Sequence, residues 1–435
     1  MDSLRLLFTS FLSIFVGIMT FIFPYEATTL LFIGVLCVIL LKIVSNMFFW
    51  LNLKNSKKFF SNLFLGIFII LISYLVYKLK SSFVLFFQIA FIFFFSLDTI
   101  NRFICFILVR KDSVLKSIYY IVSSLISLLI CIFVISRNTF VSYLLGIYAL
   151  EFGFSYFRDF IMSVSSYRLK GIRPSVPVLI ALFIPYFAYK RVKILKEMGK
   201  DVKGTFEARK PDIYISIHVG PKIYSRPGHI DICFDDEVLA FGQYDKDSLS
   251  FFKIFGDGVM YSLTNRLKYY DFVIDVDKKV IFEYGFYLTD KEKSIIRSRI
   301  KNLKKDTVPW SSPYDYTYAH KLESRMNAKL YKFSRGNLKK YYSTRNNCVF
   351  LVDILIKDIL IDRIDSGSFI IPGNYMYYFD TWRKVKNSRI VSFKILCSCK
   401  WCETKFVKKL KQYDTINLVI VEYCFFRYFQ VIKWF

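Results

Sequence analysis

Six stretches too apolar to face water dominate the first 165 residues of this 435-residue chain. They run over about Leu4–Phe23, Thr28–Phe49, Phe60–Tyr77, Ser81–Leu108, Ser117–Ile135 and Thr139–Ile161. Each is close to the roughly 20 residues that an α-helix needs to cross a bilayer, where backbone polar groups must be satisfied within the segment itself. The sequence therefore predicts a six-span helical membrane domain. Orientation is carried by the connections. Lys54, Lys57 and Lys58 follow the second stretch, Arg110, Lys111 and Lys116 the fourth, and Arg168, Lys170 and Arg173 the sixth. Glu26, Lys78, Lys80 and Arg137 lie on the opposite side. Basic residues collect on the cytoplasmic side, so the bias puts the N-terminus and everything after Ile161 in the cytoplasm, with Lys78 and Lys80 against the trend. The first stretch leads into others with no small-residue cleavage site, so it reads as part of a multi-pass cell-membrane protein and not as a cleavable signal.

The even-numbered stretches repeat one another at intervals of 53 to 56 residues. Leu41-Lys42-Ile43-Val44-Ser45-Asn46, Leu97-Asp98-Thr99-Ile100-Asn101-Arg102 and Leu150-Glu151-Phe152-Gly153-Phe154-Ser155 each carry a charge second and a polar residue, or Arg102, sixth. The alignment sets Lys42, Asp98 and Glu151 at equivalent depth, with Arg102 one turn from Asp98. Charges inside a span are costly and face partners in the bundle. They form either an ion path or a salt-bridged packing core, and the packing role is the expectation. Three two-helix units of this length, with Leu144-Leu145-Gly146 inside Tyr143–Gly153, resemble the HdeD-type short-repeat membrane proteins. That resemblance covers residues 1–165. It implies a six-helix domain of a kind associated with acid-stress resistance, without a defined transported substrate.

The formal net charge of +27 is split between these flanking clusters and the second half of the chain. In a membrane protein such a balance reflects positive-inside loops and attraction to anionic headgroups, so the lipid bilayer is the expected partner and nucleic acid is not. Residues 166–205 form a basic linker. Val176–Tyr189 is an apolar run of 14 residues with Pro177 and Pro185, followed by Lys190, Arg191, Lys193 and Lys196. That is too short to span comfortably and predicts an interfacial helix. Nine cysteines show no disulfide framework, which suits a reducing compartment. Cys397, Cys399 and Cys402 lack a nearby fourth ligand, so neither a metal nor any other cofactor is expected.

Residues 206–396 read as a soluble α+β domain. Asp212–Val219, His229–Phe234, Glu237–Tyr244, Tyr270–Asp275 and Lys279–Phe286 read as strands with turns at Gly220-Pro221, Asp235-Asp236 and Asp277-Lys278. Thr289 and Glu292 form a capping box for a helix from Asp290 to about Leu303. Trp310–Tyr318 reads as a loop, Ser368–Ile371 as extended and Pro372–Lys386 as helix-bearing. Residues 397–435, ending in the aromatic run Asn417–Phe435, have no assignment.

The chemistry centres on Tyr341–Leu360. A polar turn, Ser343 to Asn347, ends at Cys348, where an apolar helical pattern begins. Asn346 or Asn347 is the N-cap. Cys348 then sits in the first turn, where free N–H groups and the helix dipole favour a thiolate. Such a thiol needs a base, and among three histidines His229, at a strand start, is the candidate; His218 reads as structural and His320 as a surface residue. Arg226-Pro-Gly-His229-Ile-Asp-Ile and Arg345-Asn-Asn-Cys348-Val-Phe-Leu resemble the histidine strand and nucleophile helix of circularly permuted papain-like enzymes, relatives of NlpC-type peptidases and lecithin–retinol acyltransferases. His229 precedes Cys348 by 119 residues, the order that permutation implies. The resemblance covers Ile213 to Ser392 and implies a third polar group orienting the imidazole from the next strand. Gln243 is the choice, with Asp231, on the face of His229, the alternative. The expectation is a membrane-anchored thiol hydrolase or acyltransferase, acting on an amide or ester in a lipid-linked or acylated substrate. A membrane stress-response or transport protein with a non-catalytic binding domain is the other reading.

Overall fold

The computed structural model describes residues 2–26, 56–78, 80–109, 114–137, 139–165, 172–174, 178–197, 205–249, 255–360, 363–365, 371–383 and 388–398, with isolated positions between 29 and 47. Lys42, Cys399, Cys402, the stretch 366–370 and the tail Asn417–Phe435 lie outside them. The chain divides into two compact units. One comprises Leu4–Thr99 and Leu125–Arg158, the other Ile100–Ser124 and Asp159–Thr404, so far as each is described.

The first unit is helical. Its elements are α1 (Asp2–Ile22), α2 (Ser56–Lys78), most of α3 (Lys80–Val109), and much of α4 (Val114–Ser136) and α5 (Thr139–Val164). Among the described residues three helical stretches are long and apolar enough to cross a membrane: Phe87–Ile107, Ser117–Ser136 and Thr139–Val164. Leu6–Ile22 and Asn62–Leu71 are apolar but shorter, and most of the second expected span is outside the described residues. Outward residues such as Phe64, Phe93 and Phe154 are exposed, as lipid-facing positions are. α1 meets α5 along a seam of small residues. A methyl on Gly17 would lie 2.7 Å from Leu150 Cγ, and one on Gly146 would run into Thr20. Ser10 Oγ donates to the Gly153 carbonyl at 2.8 Å, and Gln88 Nε2 to that of Val134 at 2.7 Å. Asp98 is buried and accepts from Ser127 Oγ, whereas Glu151 faces outward. The repeat thus does not give these two carboxylates the same surroundings.

The second unit carries a nine-stranded sheet among its described residues. Its order is β2-β13-β8-β3-β4-β5-β7-β10-β9, and every described pairing in it is antiparallel. The strands are β2 (Phe206–Glu207), β3 (Ile213–Val219), β4 (His229–Phe234), β5 (Glu237–Gly242), β7 (Val259–Thr264), β8 (Val280–Phe286), β9 (Thr307–Trp310), β10 (Lys329–Phe333) and β13 (Ile390–Leu396). Two small pairs stand apart, β1 (Ile172–Pro174) with β12 (Arg363–Asp365), and β6 (Phe255–Asp257) with β11 (Lys340–Tyr342).

Strand alternation sorts the sheet into two faces. Ile213, Ile215, Ile217, Ile230, Ile232, Phe234, Leu239 and Phe241 share a core with α6 (Val178–Glu197), α8 (Asp290–Lys305), α10 (Cys348–Ile356) and α11 (Pro372–Trp382). Cys233, Val238, Ala240, Val259, Tyr261 and Leu263 face α7 (Arg266–Asp277) and α9 (Tyr318–Met326). Helices on both faces bury both sets of strand side chains, which makes the strands nearly continuous in apolarity.

Two expectations change. Tyr270–Asp275 is helical, not a strand. Asn265, at φ +66, caps α7 by accepting from the Lys268 N–H, and Tyr269, Tyr270, Val273 and Ile274 then make one buried helical stripe. The apolar run, described from Val178 onward, does not rest on headgroups alone. It opens α6, which buries Ala188, Tyr189 and Val192 in the sheet core and packs on α11, where a methyl on Gly373 would run into the Ala181 carbonyl oxygen.

Candidate active site

The turn before α10 is built from side chain to backbone bonds. Asn346 Nδ2 donates to the Asn337 carbonyl at 2.9 Å, and Asn347 Nδ2 to that of Ser343 at 2.8 Å. Asn347 Oδ1 accepts from the Val349 N–H at 3.0 Å, so Asn347 is the N-cap. Cys348 enters the first turn, 4% exposed, against β4 and β5. The backbone N–H groups of Ile230, Val349 and Cys348 itself lie in its surroundings. They favour a thiolate, but burial outweighs them and pushes the thiol up to about 11. The unoccupied thiol is therefore protonated at neutral pH, contrary to the thiolate that the helix start alone predicts.

Ile230 directly follows His229. His229 enters β4 through Gly228, at φ +90. That left-handed conformation suits glycine, and a methyl there would lie 3.3 Å from Ile217 and 3.4 Å from Pro372. The register pairs His229 with His218 across β3 and β4, their ring centroids 6.2 Å apart. His229 Nε2 is enclosed and has no hydrogen-bond partner among the described residues. Burial, then the charges of His218 and Lys279, hold the imidazole well below its usual range, so it too is neutral.

His218 belongs to a polar network inside the other face. Its Nε2 is 2.9 Å from Asp231 Oδ2, both residues being fully buried. The Tyr269 hydroxyl donates to the same oxygen at 3.0 Å and lies 2.6 Å from the Tyr261 hydroxyl. Ser216, which pairs with Asp231 in the register, bonds Tyr270. Gln243 is placed elsewhere. Leu239 and Phe241 turn to the α10 side of the sheet, and the Gln243 side chain lies over β6, where a methyl on Gly256 would be 2.9 Å from Nε2. Cys348 thus reaches the strand of His229 from the α10 face, whereas strand alternation turns His229 to the opposite face with His218 and Asp231. His320 is at the surface, 3.7 Å from Asp315. No group of three or more His, Cys, Asp or Glu among the described residues is arranged to hold a metal.

Sequence reasoning missed the tyrosines and gave His218 a packing role. The signal was present in part: Ser216, His218, His229 and Asp231 occupy alternate positions of two otherwise apolar strands joined by the 220–228 connection. Tyr261 and Tyr269 come from other elements and carry no comparable mark. Compared with known proteins, the chain matches no protein family, no curated protein and no solved structure.

Proposed function

We propose that this chain is a membrane-anchored thiol hydrolase or acyltransferase with Cys348 as nucleophile and His229 as base. The observation that carries the reading is the placement of Cys348 in the first turn of α10, packed on β4, the strand that begins with His229. Both groups are neutral when the site is empty, so the proton passes from sulfur to imidazole as the thiol attacks the carbonyl carbon. The S–C bond forms, charge collects on the carbonyl oxygen, and the backbone N–H of Cys348 at the helix start is the donor to receive it. Collapse expels an amine or alcohol that takes the proton from His229, leaving an acyl-thioester. Water or a second acceptor, deprotonated by the same imidazole, then releases the acyl group. Gln243 and Asp231 remain the third-group candidates. The basic loops support a multi-pass cell-membrane protein with the α+β unit in the cytoplasm, and a lipid-linked or acylated substrate suits that position. The order and spacing of the His229 and Cys348 motifs support a permuted papain-like fold, and the repeats support an HdeD-like membrane half.

The burial of Cys348 favours a second reading, a non-catalytic binding domain in which the cysteine only packs. Alkylation of Cys348 in the membrane-embedded chain across about pH 5 to 9, read by peptide mass spectrometry, separates the two. A base contributes about 10²–10⁴-fold, so His229→Ala should slow alkylation at neutral pH by about 100-fold, with Cys348→Ala as the blank. A rate no faster than an ordinary thiol of pKa about 8.5, unchanged in His229→Ala, establishes the packing role.

A further inference from the structure

α6 has two faces. Ala181, Ala188, Tyr189, Val192 and Leu195 are buried. On the opposite side Phe183, Phe187, Lys190 and Ile194 follow one another at i, i+4, i+7 and i+11, which lines them up in a single stripe. Phe183 and Ile194 are about half exposed, and Lys190 and its neighbour Lys193 are exposed as well. The Phe183 and Phe187 rings lie 6.1 Å apart. Packing on the sheet thus uses one side of α6 and leaves the other turned outward, apolar and basic together.

The loop 221–227, ahead of β4, widens this stripe. Tyr186, on the flank of the stripe, receives the Arg226 guanidinium 4.5 Å from its ring centre and the Lys190 ammonium at 5.3 Å. The loop contains one 3-10 turn, Ile223–Ser225. The Ser225 N–H donates to the Lys222 carbonyl at 2.9 Å, the Ser225 hydroxyl donates to the same carbonyl at 2.8 Å, and the Gly220 N–H donates to the Ser225 carbonyl at 3.2 Å. A turn tied in this way presents Ile223 and Tyr224 outward, each 78% exposed. Lys222 lies 5.8 Å from the Tyr224 ring centre. At the base of the loop, where a methyl on Gly220 would be 3.2 Å from Lys279 Cγ, the acid Asp277 is paired with Lys279 at 2.8 Å. Large apolar side chains held in water and continuous with further apolar area mark a contact surface.

We propose that this patch, the outer stripe of α6 together with the Ile223–Tyr224 turn, docks on an anionic bilayer surface. Phe183, Ile194, Ile223 and Tyr224 enter the headgroup boundary, and Lys190, Lys193, Lys222 and Arg226 meet lipid phosphates. The composition selects this occupant. Aromatic and aliphatic tips interleaved with basic side chains suit a membrane interface, whereas the cores of protein–protein interfaces are depleted in lysine. The chain also holds the patch near lipid. Val178 lies 14 residues beyond Val164, the end of a helix long and apolar enough to cross a membrane. Such a connection reaches at most about 50 Å, which keeps the effective concentration of the surface high. Docking requires neither Cys348 nor His229, although the loop leads directly into Gly228 and His229.

The test is photolabelling of the full chain in nanodiscs by a trace lipid with a diazirine near its headgroup, read by mass spectrometry after pepsin digestion. In mixed phosphatidylcholine and phosphatidylglycerol, peptides covering 221–227 and 183–194 should be labelled more heavily than the peptide with Arg297. Arg297 is the internal reference because it pairs with Asp235, in the turn at the far end of β4. Each basic side chain near an anionic surface strengthens docking about 5-fold, so Lys190→Gln with Arg226→Gln should weaken it by about 25-fold, and labelling at 221–227 should fall toward the reference. Phosphatidylcholine alone should lower the labelling of the parent in the same direction, with no substitution that could disturb folding. Ile223→Ser with Tyr224→Ser should lower labelling of 183–194, since the two parts dock together. Labelling at 221–227 no heavier than at Arg297, while peptides of α3, α4 and α5 are labelled, overturns the proposal. So does labelling that is indifferent both to phosphatidylglycerol and to the loss of Lys190 and Arg226.

Discussion

At the residue scale, the site is defined by groups kept neutral through burial, and this has a stability consequence at each end of the pH range. The folded-state pKa of His229 lies well below the ordinary 6.5. Above that ordinary value, folded and unfolded chains are both neutral there and nothing is lost. As pH falls below about 6.5, only the unfolded chain gains the proton, so stability falls. Cys348 does the reverse. Its thiol is raised from 9.0 to about 11. Stability is intact below 9 and falls as pH rises from about 9 to 11, by about 3 kcal/mol over the two units. Melting the nanodisc-embedded chain across pH checks both. The parent-minus-variant difference should decline on the acid side for His229→Gln and on the alkaline side for Cys348→Ala. A flat difference curve would falsify the corresponding burial. Asn347→Ala should cost about 1 kcal/mol, as loss of an N-cap does. These residues were legible in the sequence because each signals locally: Asn347 and Thr289 by cap spacing, Cys348 by where its helix starts, His229 by the Pro-Gly before a strand. The tyrosines were not, since Tyr261 and Tyr269 meet only once β7 and α7 are assembled.

At the element scale, α10 is short, nine residues, and buried along most of its length. Such a helix owes its stability to packing and to its ends. Asn347 closes its N-terminus, and the Arg299 guanidinium takes the carbonyls of Leu355 at 3.0 Å and Lys357 at 2.8 Å beyond the other. A cation on C-terminal carbonyls also complements the helix dipole. The two elements read differently from sequence fail for the same reason. The amphipathic cue of α6, apolar then basic with Pro185 inside, is shared by an interfacial helix and by one packed on a sheet. Alternation and helical spacing overlap in Tyr269–Ile274, where only the Asn265 cap decides. The close approach of α6 and α11 gives a direct check. Gly373→Ala puts a methyl against the Ala181 carbonyl oxygen, and the helices must separate. Overpacking of this kind costs about 1–3 kcal/mol. The melting temperature should drop; a helix resting only on headgroups would show no such change.

At the scale of the whole molecule, the turn that positions Cys348 is held by residues of two apolar helices. Thr344 Oγ1 donates to Asn101 Oδ1 of α3 at 2.7 Å, and Arg345 Nε donates to the Tyr120 hydroxyl of α4 at 3.1 Å. The Arg345 guanidinium also lies over the Tyr120 ring, 5.2 Å from its centre. Phe255 and Tyr342 stack at 4.7 Å and join Cys105 and Tyr120 in one apolar cluster. These three helix residues, Asn101, Cys105 and Tyr120, lie in the last turns of α3 and the first turns of α4. If the membrane helices fix the nucleophile turn, the two contact residues should be energetically coupled. Residues in contact typically show about 0.5–3 kcal/mol of interaction in a double-mutant cycle. Tyr120→Phe, Arg345→Gln and the pair should therefore be non-additive in Cys348 alkylation rate, by about 2-fold to 100-fold at neutral pH. Additivity within about 2-fold would mean that the turn is held by Asn346 and Asn347 alone, and that Tyr120 is a neighbour of the site without being part of its support.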